Sequence, residues 1–139
     1  MFGLVMFVFL ASLTTESERV AQASGSMEAA LTYGLFARRG EPSPLQLRIQ
    51  GASGPALTVW VSTPYLAELD FNSWYPEPDR FGSRPGSIGL VYPEPPHTFD
   101  LMLDARYSTD AAPGRKSLEV EVESETDVIR FEVETWMLP

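Results

Sequence analysis

The chain has 139 residues, a net charge of −9 and no cysteine. These three properties already exclude or disfavour several classes of function. The length allows one domain and a tail, and the acidic balance disfavours binding to nucleic acid phosphates. The absence of cysteine excludes disulfides, thiolate metal sites and cysteine nucleophiles.

The chain begins with a strongly apolar segment, residues 1–13, which contains no charged side chain. A helix that spans a bilayer needs about 20 apolar residues, whereas this segment would reach only about 20 Å as a helix. Three interpretations remain open: a signal peptide with its small-x-small cleavage site at residues 21–23, a short membrane anchor that is retained, or a buried core helix of the domain. We predict the retained anchor, as a helix over residues 1–15 followed by a polar linker over residues 16–27.

Beyond the linker, apolar and polar residues alternate in short runs, and this period is typical of a half-buried β-strand. The clearest run is residues 98–106, where Phe99, Leu101 and Leu103 are predicted to point inward. Frequent Pro and Gly residues between the runs favour turns over long helices. The predicted strands cover residues 28–37, 45–50, 57–62, 69–75, 87–93, 98–106, 118–123 and 129–134.

Short strands at this spacing predict two antiparallel sheets that pack face to face. The predicted fold class is therefore all-β. It is an immunoglobulin-like antiparallel β-sandwich of about seven to eight strands over residues 28–139. One N-terminal hydrophobic membrane helix precedes this domain in the prediction.

Motifs that carry catalytic chemistry are weak in this sequence. His97 is the single histidine and lacks a nucleophile motif beside it, so we interpret it as a loop residue. Glu119, Glu121 and Glu123 share one face of a predicted strand about 7 Å apart, and Glu125 continues the row. A flat row does not converge on a cation, so we interpret it as a solvated, self-repelling face, with a docking surface for a basic partner as the alternative. We assign no catalytic, cofactor-binding or metal-ligating residue.

The candidate partner contacts are aromatic and apolar side chains. Alternation predicts that Trp60 and Trp74 point outward, and exposed aromatic residues are enriched at interfaces and membrane surfaces. In the apolar segment, the large side chains are predicted to pack against neighbouring transmembrane helices. The candidate partner-binding residues are Phe2, Leu4, Val5, Phe7, Phe9, Trp60, Trp74, Tyr75 and Trp136.

Several residues after the linker follow a recognisable order. They are Tyr65 and Leu66, Phe71, the turn Pro76-Glu77-Pro78, a strand that ends at Tyr92, and a last strand through Phe131 and Val133. Together with the apolar start, this order resembles that of small bacterial membrane-anchored proteins with an extracytoplasmic immunoglobulin-like β-sandwich domain, most of them of unknown function. The resemblance implies a tethered domain on the periplasmic side, and it carries over no catalytic residue.

We therefore expect a non-catalytic accessory or structural subunit of a bacterial membrane protein complex, for which a respiratory or photosynthetic complex is a natural host. The expected partners are integral membrane protein subunits and the lipid bilayer, with no nucleic acid and no cofactor. The expected location is the membrane, with a single-pass anchor and the domain on the periplasmic side. The alternative is a membrane-tethered extracytoplasmic ligand-binding module for a sugar or a peptide. We expect no enzymatic activity.

Overall fold

The computed structural model describes residues 5–10, 17–51 and 56–139, and within them about two thirds of the residues lie in β-strands. One short helix, α1 (Thr63–Leu66), links two strands and carries Pro64 in its first turn, where a backbone N–H has no helical partner. The strands are β1 (Val5–Leu10), β2 (Ser17–Ser24), β3 (Met27–Gly34), β4 (Phe36–Ala37), β5 (Gln46–Gln50), β6 (Leu57–Ser62), β7 (Leu69–Tyr75), β8 (Arg80–Arg84), β9 (Ser87–Tyr92), β10 (Thr98–Tyr107), β11 (Gly114–Glu123) and β12 (Val128–Met137).

The strands of the described ranges form two six-stranded sheets. Sheet A has the order β1-β2-β3-β5-β10-β7, and sheet B has the order β4-β12-β11-β6-β9-β8. Neighbouring described strands are antiparallel except β4 and β12, which are parallel. The all-β class predicted from the sequence is confirmed. The sequence does not predict β1, β2 or β8, whose residues we assign to the anchor, the linker and a polar loop.

Alternation along the strands produces one core between the two sheets. In β10, every second residue is buried and its neighbours are exposed, as the sequence predicts for Phe99, Leu101 and Leu103. These side chains belong to one cluster with residues of sheet B such as Val59 and Phe131. Burying one such apolar side chain contributes about 1.5–3 kcal/mol, so the shared core holds the two sheets together.

A small polar network lies inside this core at one end of the sheets. The hydroxyl of Thr135 is fully buried and donates to the carbonyl oxygen of Gly34 at 2.6 Å. The hydroxyl of Tyr65 lies 3.2 Å from that of Tyr107 and 3.4 Å from that of Thr135. A buried hydroxyl without a hydrogen-bond partner costs free energy of folding. These bonds therefore favour the observed positions of α1, β3, β10 and β12 relative to one another.

A β-bulge in β7 decides where Trp74 points. Asp104 pairs with Ser73 and Ala105 pairs with Phe71, so β7 contains one extra residue between these two pairs. An extra residue inverts the alternation that follows it. The side chain of Trp74 is therefore in the core, with 5% of its surface exposed. The predicted outward position of Trp74 is wrong, because simple alternation assumes a strand without a bulge.

The N-terminal part of the chain also differs from the prediction. The helix over residues 1–15 is not confirmed, because Val5–Leu10 forms β1, antiparallel to β2. The segment 16–27 contains β2, a turn with Gly25 at a φ of 60°, and the start of β3. Apolar β-branched and aromatic residues fit a sheet as well as a helix, so composition alone does not separate the two.

The structure describes some of the candidate partner-binding residues in the apolar segment and not others. Phe2 and Leu4 lie outside the described residues. The backbones of Val5, Phe7 and Phe9 belong to β1 and lie opposite Ala23, Ala21 and Arg19 of β2. Within the described ranges, we find no helix with the length and apolarity needed to cross a bilayer.

Candidate binding face

The outer face of sheet A carries a continuous row of side chains from five strands. In the register of the sheet, Arg19 lies opposite Thr32, Thr32 opposite Gln46, Gln46 opposite Met102, and Met102 opposite Tyr75. Residues directly opposite one another in neighbouring strands share a face. This row, which we call the sheet A row, therefore forms a strip of mixed chemistry, cationic at one end and aromatic at the other.

The exposed end of the row is apolar. Tyr75 has 74% of its surface exposed, and Met102 beside it has 46% exposed. A groove of about 510 Å³ runs along the sheet and is lined by the row together with Ala30, Arg48 and Asp100. Its volume lies within the range of about 300–1,000 Å³ that is typical of ligand sites. The small side chain of Ala30 leaves room for this groove between longer side chains such as Arg19 and Arg48.

An ion pair closes one wall of the groove. Arg48 and Asp100 lie opposite each other on β5 and β10, with Nε donating to Oδ1 at 2.7 Å and Nη2 to Oδ2 at 3.2 Å. The hydrogen bonds from Arg48 lower the pKa of Asp100 below its ordinary value, and the carboxylate raises the pKa of Arg48. A carboxylate held ionised in this way is suited to orienting a guanidinium rather than to transferring a proton.

Trp60 lies on the outer face of sheet B, and its ring is engaged within that sheet. The guanidinium of Arg84 lies 4.3 Å from the ring centroid, and the indole Nε1 donates to Glu123 at 3.0 Å. Beneath the ring lie Gly82 and Gly89, where an added Cβ would stand 3.3 Å and 2.9 Å from indole carbons. The two glycines therefore allow the indole to lie flat on the sheet, so Trp60 presents less free surface than Tyr75.

The acidic row on β11 is more structured than the predicted solvated face. Glu121 has only 9% of its surface exposed, and it pairs with Arg130 at 2.7 Å and with Arg84 at 3.3 Å. Burial alone would raise the pKa of Glu121, but the hydrogen bonds from Arg130 and Arg84 outweigh burial and lower the pKa. The interpretation of a merely self-repelling row is wrong at this position, because the adjacent strand β12 and the more distant strand β8 each bring a guanidinium group to it.

Neutralising Glu121 should make stability less sensitive to acid. A carboxylate whose pKa is lowered by folding stabilises the folded state above its unfolded pKa, and this contribution disappears as the pH falls. We expect Glu121→Gln to lose about 1 kcal/mol of unfolding free energy at pH 7, and the difference from the unmodified protein to shrink below about pH 5. Urea unfolding at several pH values measures this difference.

Glu132→Gln is the matched control for this experiment. Glu132 is exposed on the neighbouring strand and forms no ion pair within the described ranges. Its substitution should change the unfolding free energy by less than about 0.5 kcal/mol. Equal losses in the two variants, or a loss in Glu121→Gln that persists at low pH, would contradict the role of the ion pairs.

Trp136 lies at the edge of sheet B, away from the sheet A row. It is opposite Phe36 in the parallel pair of β4 and β12, and the two side chains have 46% and 44% of their surfaces exposed. The backbone N–H of Trp136 donates to the carbonyl oxygen of Leu35 at 2.9 Å. Of the predicted candidates, Tyr75 and Trp136 are thus exposed on different surfaces, and Trp74 is not available to a partner.

His97 lies in the loop before β10, exposed, with its backbone carbonyl oxygen accepting from the N–H of Gly51 at 2.9 Å. Among the residues that the structure describes, no group of His, Cys, Asp and Glu is arranged to hold a metal ion.

Four members of the sheet A row were not among the sequence candidates: Arg19, Thr32, Gln46 and Met102. Alternation marks such positions as outward-facing, but it does not show which strands become neighbours or in what register. A comparison with protein-family models gives no match for this chain, and a search of curated proteins also gives none.

Proposed function

We propose that the fold is an immunoglobulin-like β-sandwich. In the constant type of that fold, one sheet has the strand order A-B-E-D and the other contains G-F-C. Here the order β3-β5-β10-β7 in sheet A and the order β12-β11-β6 in sheet B follow the same scheme when the strands are named in chain order. The hairpin of β8 and β9, inserted between the fourth and fifth of these strands, extends the second sheet beside β6.

We propose further that the protein is a non-catalytic accessory subunit that docks an extramembrane surface of an integral membrane protein through the sheet A row. The observation that carries this proposal is the exposed pair of Tyr75 and Met102 beside the groove. Aromatic and methionine side chains are enriched at the centres of protein interfaces. The hydrogen-bonding groups of Gln46 and Thr32 next to them can orient a partner on the face.

The membrane part of this proposal is supported by the sequence. Residues 1–13 are apolar and uncharged, and the order of residues after them resembles that of membrane-anchored bacterial proteins. We propose that this segment, whose residues Val5–Leu10 form the edge strand β1, places that edge of the domain beside the bilayer on the periplasmic side, next to subunits of a respiratory or photosynthetic complex. Attachment at the membrane would raise the effective concentration of the sheet A row near such a partner.

The double variant Tyr75→Ser, Met102→Ser tests the docking proposal. We expect at least about a tenfold loss of partner binding, which corresponds to about 1.4 kcal/mol, because the apolar centre of the interface is removed. The measurement is the amount of the host complex that co-purifies with the protein from native membranes in mild detergent. The complex is identified by its other subunits. Both side chains are exposed, so the variant should fold normally.

Phe81→Ser is the matched control, because Phe81 is an equally apolar side chain with 61% of its surface exposed on sheet B. It should retain the partner. Equal recovery of the complex with the double variant and with the control would refute docking through the sheet A row.

The groove itself favours a second candidate function, a tethered ligand-binding module for a sugar. Tyr75, with 74% of its surface exposed, lines the groove together with the Arg48–Asp100 pair and Gln46, and such polar groups beside an aromatic ring can orient a sugar. Calorimetric titration with neutral and acidic oligosaccharides tests this candidate. Binding that disappears in Tyr75→Ala, and that does not need residues 1–13, would favour it over the docking proposal.

A further inference from the structure

The outer edge of β12 is open over most of its length in the described part of the chain. On one side β12 pairs with β11 at every position from Val128 to Met137. On the other side β4 pairs with two residues, Trp136 and Met137. An open strand edge presents backbone N–H and C=O groups that can pair with another chain.

The direction of these backbone groups follows from the bonds to the segment around β4. The N–H of Trp136 donates to Leu35 at 2.9 Å, and the N–H of Leu138 donates to Ala37 at 2.9 Å. In a strand, alternate residues direct their backbone groups to the same side. The N–H and C=O groups of Arg130, Glu132 and Glu134 therefore face the open edge, where no described strand pairs with them.

A cleft of about 690 Å³ lies beside this edge, where β2 of sheet A faces β12 of sheet B. Apolar side chains of Val20, Phe131 and Val133 line it, together with Gln22 and with Tyr33, whose hydroxyl donates to Glu18 at 2.6 Å. Val133 is partly buried and packs against the core. An extended segment placed along the edge could direct every second side chain into this cleft, because side chains in a strand alternate between two sides.

The rim of the cleft is acidic. Glu18, Glu119, Glu132 and Glu134 line it, and among the described residues Arg130 is the one cation in the lining. Arg115, outside the lining, pairs with Glu134 at 3.4 Å. Arg130 itself is engaged by Glu121 at 2.7 Å. A segment that carries basic side chains at the positions that point away from the core would complement this rim.

We propose that the open edge of β12 is a strand-addition site for an extended partner segment in which apolar residues alternate with Lys or Arg. Backbone hydrogen bonds to Arg130, Glu132 and Glu134 provide affinity, and the apolar side chains enter the cleft beside Val20 and Val133. Specificity comes from the acidic rim. This surface differs from the sheet A row, so the proposal does not depend on docking there.

The edge strands β1, β7 and β8 are less suited to strand addition than β12. The edge strand β1 has six residues and contains no acidic residue to pair with a basic segment. The edge strand β7 contains a bulge, which disrupts a regular ladder. The edge strand β8 has five residues, with Arg80 and Arg84 among them, and short charged edges discourage pairing. By contrast, β12 has ten residues and a continuous ladder with β11.

A synthetic peptide of about nine residues, with alternating Val and Lys, is the probe, since its length of about 30 Å matches the open edge. We expect binding by fluorescence polarisation, with slower amide hydrogen exchange at Arg130, Glu132 and Glu134. N-methylation of alternate residues along the pairing edge should weaken binding at least about tenfold, and N-methylation of the other residues should not. This pair keeps the side chains and the protein unchanged, so misfolding cannot explain the difference.

The charge of the peptide provides the second part of the test. A peptide with Glu in place of Lys should bind at least about tenfold more weakly than the basic peptide. Equal binding of the two N-methylated peptides, equal binding of the acidic peptide and the basic peptide, or protection at the β1, β7 or β8 edge would overturn the proposal. It would also be overturned if the three amides were already protected without peptide and the peptide did not bind, because the chain would then cover its own edge.

Discussion

Trp74→Ala should reduce the unfolding free energy by about 3–5 kcal/mol, the cost of removing a large aromatic side chain from a packed core. Trp74 has 5% of its surface exposed and packs in the cluster between the two sheets. Total stabilities of such domains are about 5–15 kcal/mol, so the variant should lose a large part of its stability. Urea or guanidinium unfolding, with the slope of the transition checked for each variant, measures the effect.

The adjacent residue supplies the control for this prediction. Tyr75 has 74% of its surface exposed, so Tyr75→Ala should change the unfolding free energy by no more than about 0.5 kcal/mol. The two substitutions remove aromatic rings from consecutive positions of one strand, which point to opposite faces of the sheet. The β7 bulge decides which of the two rings faces the core. Similar losses in both variants, or a larger loss in Tyr75→Ala, would contradict the described register of β7.

Gly51→Ala is expected to cost about 3 kcal/mol, from the strain of a left-handed residue with a side chain and from a steric clash. Gly51 has a φ of 82°, and a Cβ at this position would collide with the backbone carbonyl oxygen of Ser26. A backbone oxygen in the neighbouring turn cannot move away as a flexible side chain can. The loss is measured as a shift of the urea midpoint at constant slope.

Gly86→Ala separates the two contributions. Gly86 has a similar φ of 78°, but nothing lies within 4 Å of the position that its Cβ would occupy. It should therefore cost only the conformational strain, about 1–2 kcal/mol. If both variants lost the same stability, the close contact between Gly51 and the turn at Ser26 would be refuted.

The strands with unbroken alternation could be predicted from the sequence alone. Residues 98–106 show why: each apolar residue there is followed by a polar one, and the structure buries every second residue of β10. The same reasoning fails for Trp74, because a bulge changes the phase of the alternation without a clear signal in the residue types. The alternation of apolar and polar residues along one strand does not show where that strand contains an extra residue, because the bulge is defined by the pairing with the neighbouring strand.

The apolar start shows a second limit of sequence reasoning. Residues such as Val5 and Phe9 are favourable in a membrane helix and in a strand alike. The structure places Val5–Leu10 beside β2, and β2 itself lies in the segment predicted as a linker. Whether such residues pair as strands depends on whether another strand offers its edge, and this is a long-range property.

The binding surfaces depend still more on the tertiary structure. Arg19, Gln46 and Tyr75 are far apart in the chain, and they share one row because β2, β5 and β7 belong to one sheet in one register. Likewise, the basic partners of Glu121 come from β8 and β12. The alternation of apolar and polar residues identifies which side chains face outward. It does not identify which residues of other strands lie next to them.

The residue pattern by itself determined that this protein is all-β, that it lacks thiol chemistry and that it is strongly acidic, because these properties follow from composition and local alternation. The tertiary structure decided which apolar side chains are exposed, which carboxylate is paired and which strand edge is open. These features arise from contacts between residues that are distant in sequence. Their free energies depend on register and burial, which no local stretch of the chain contains.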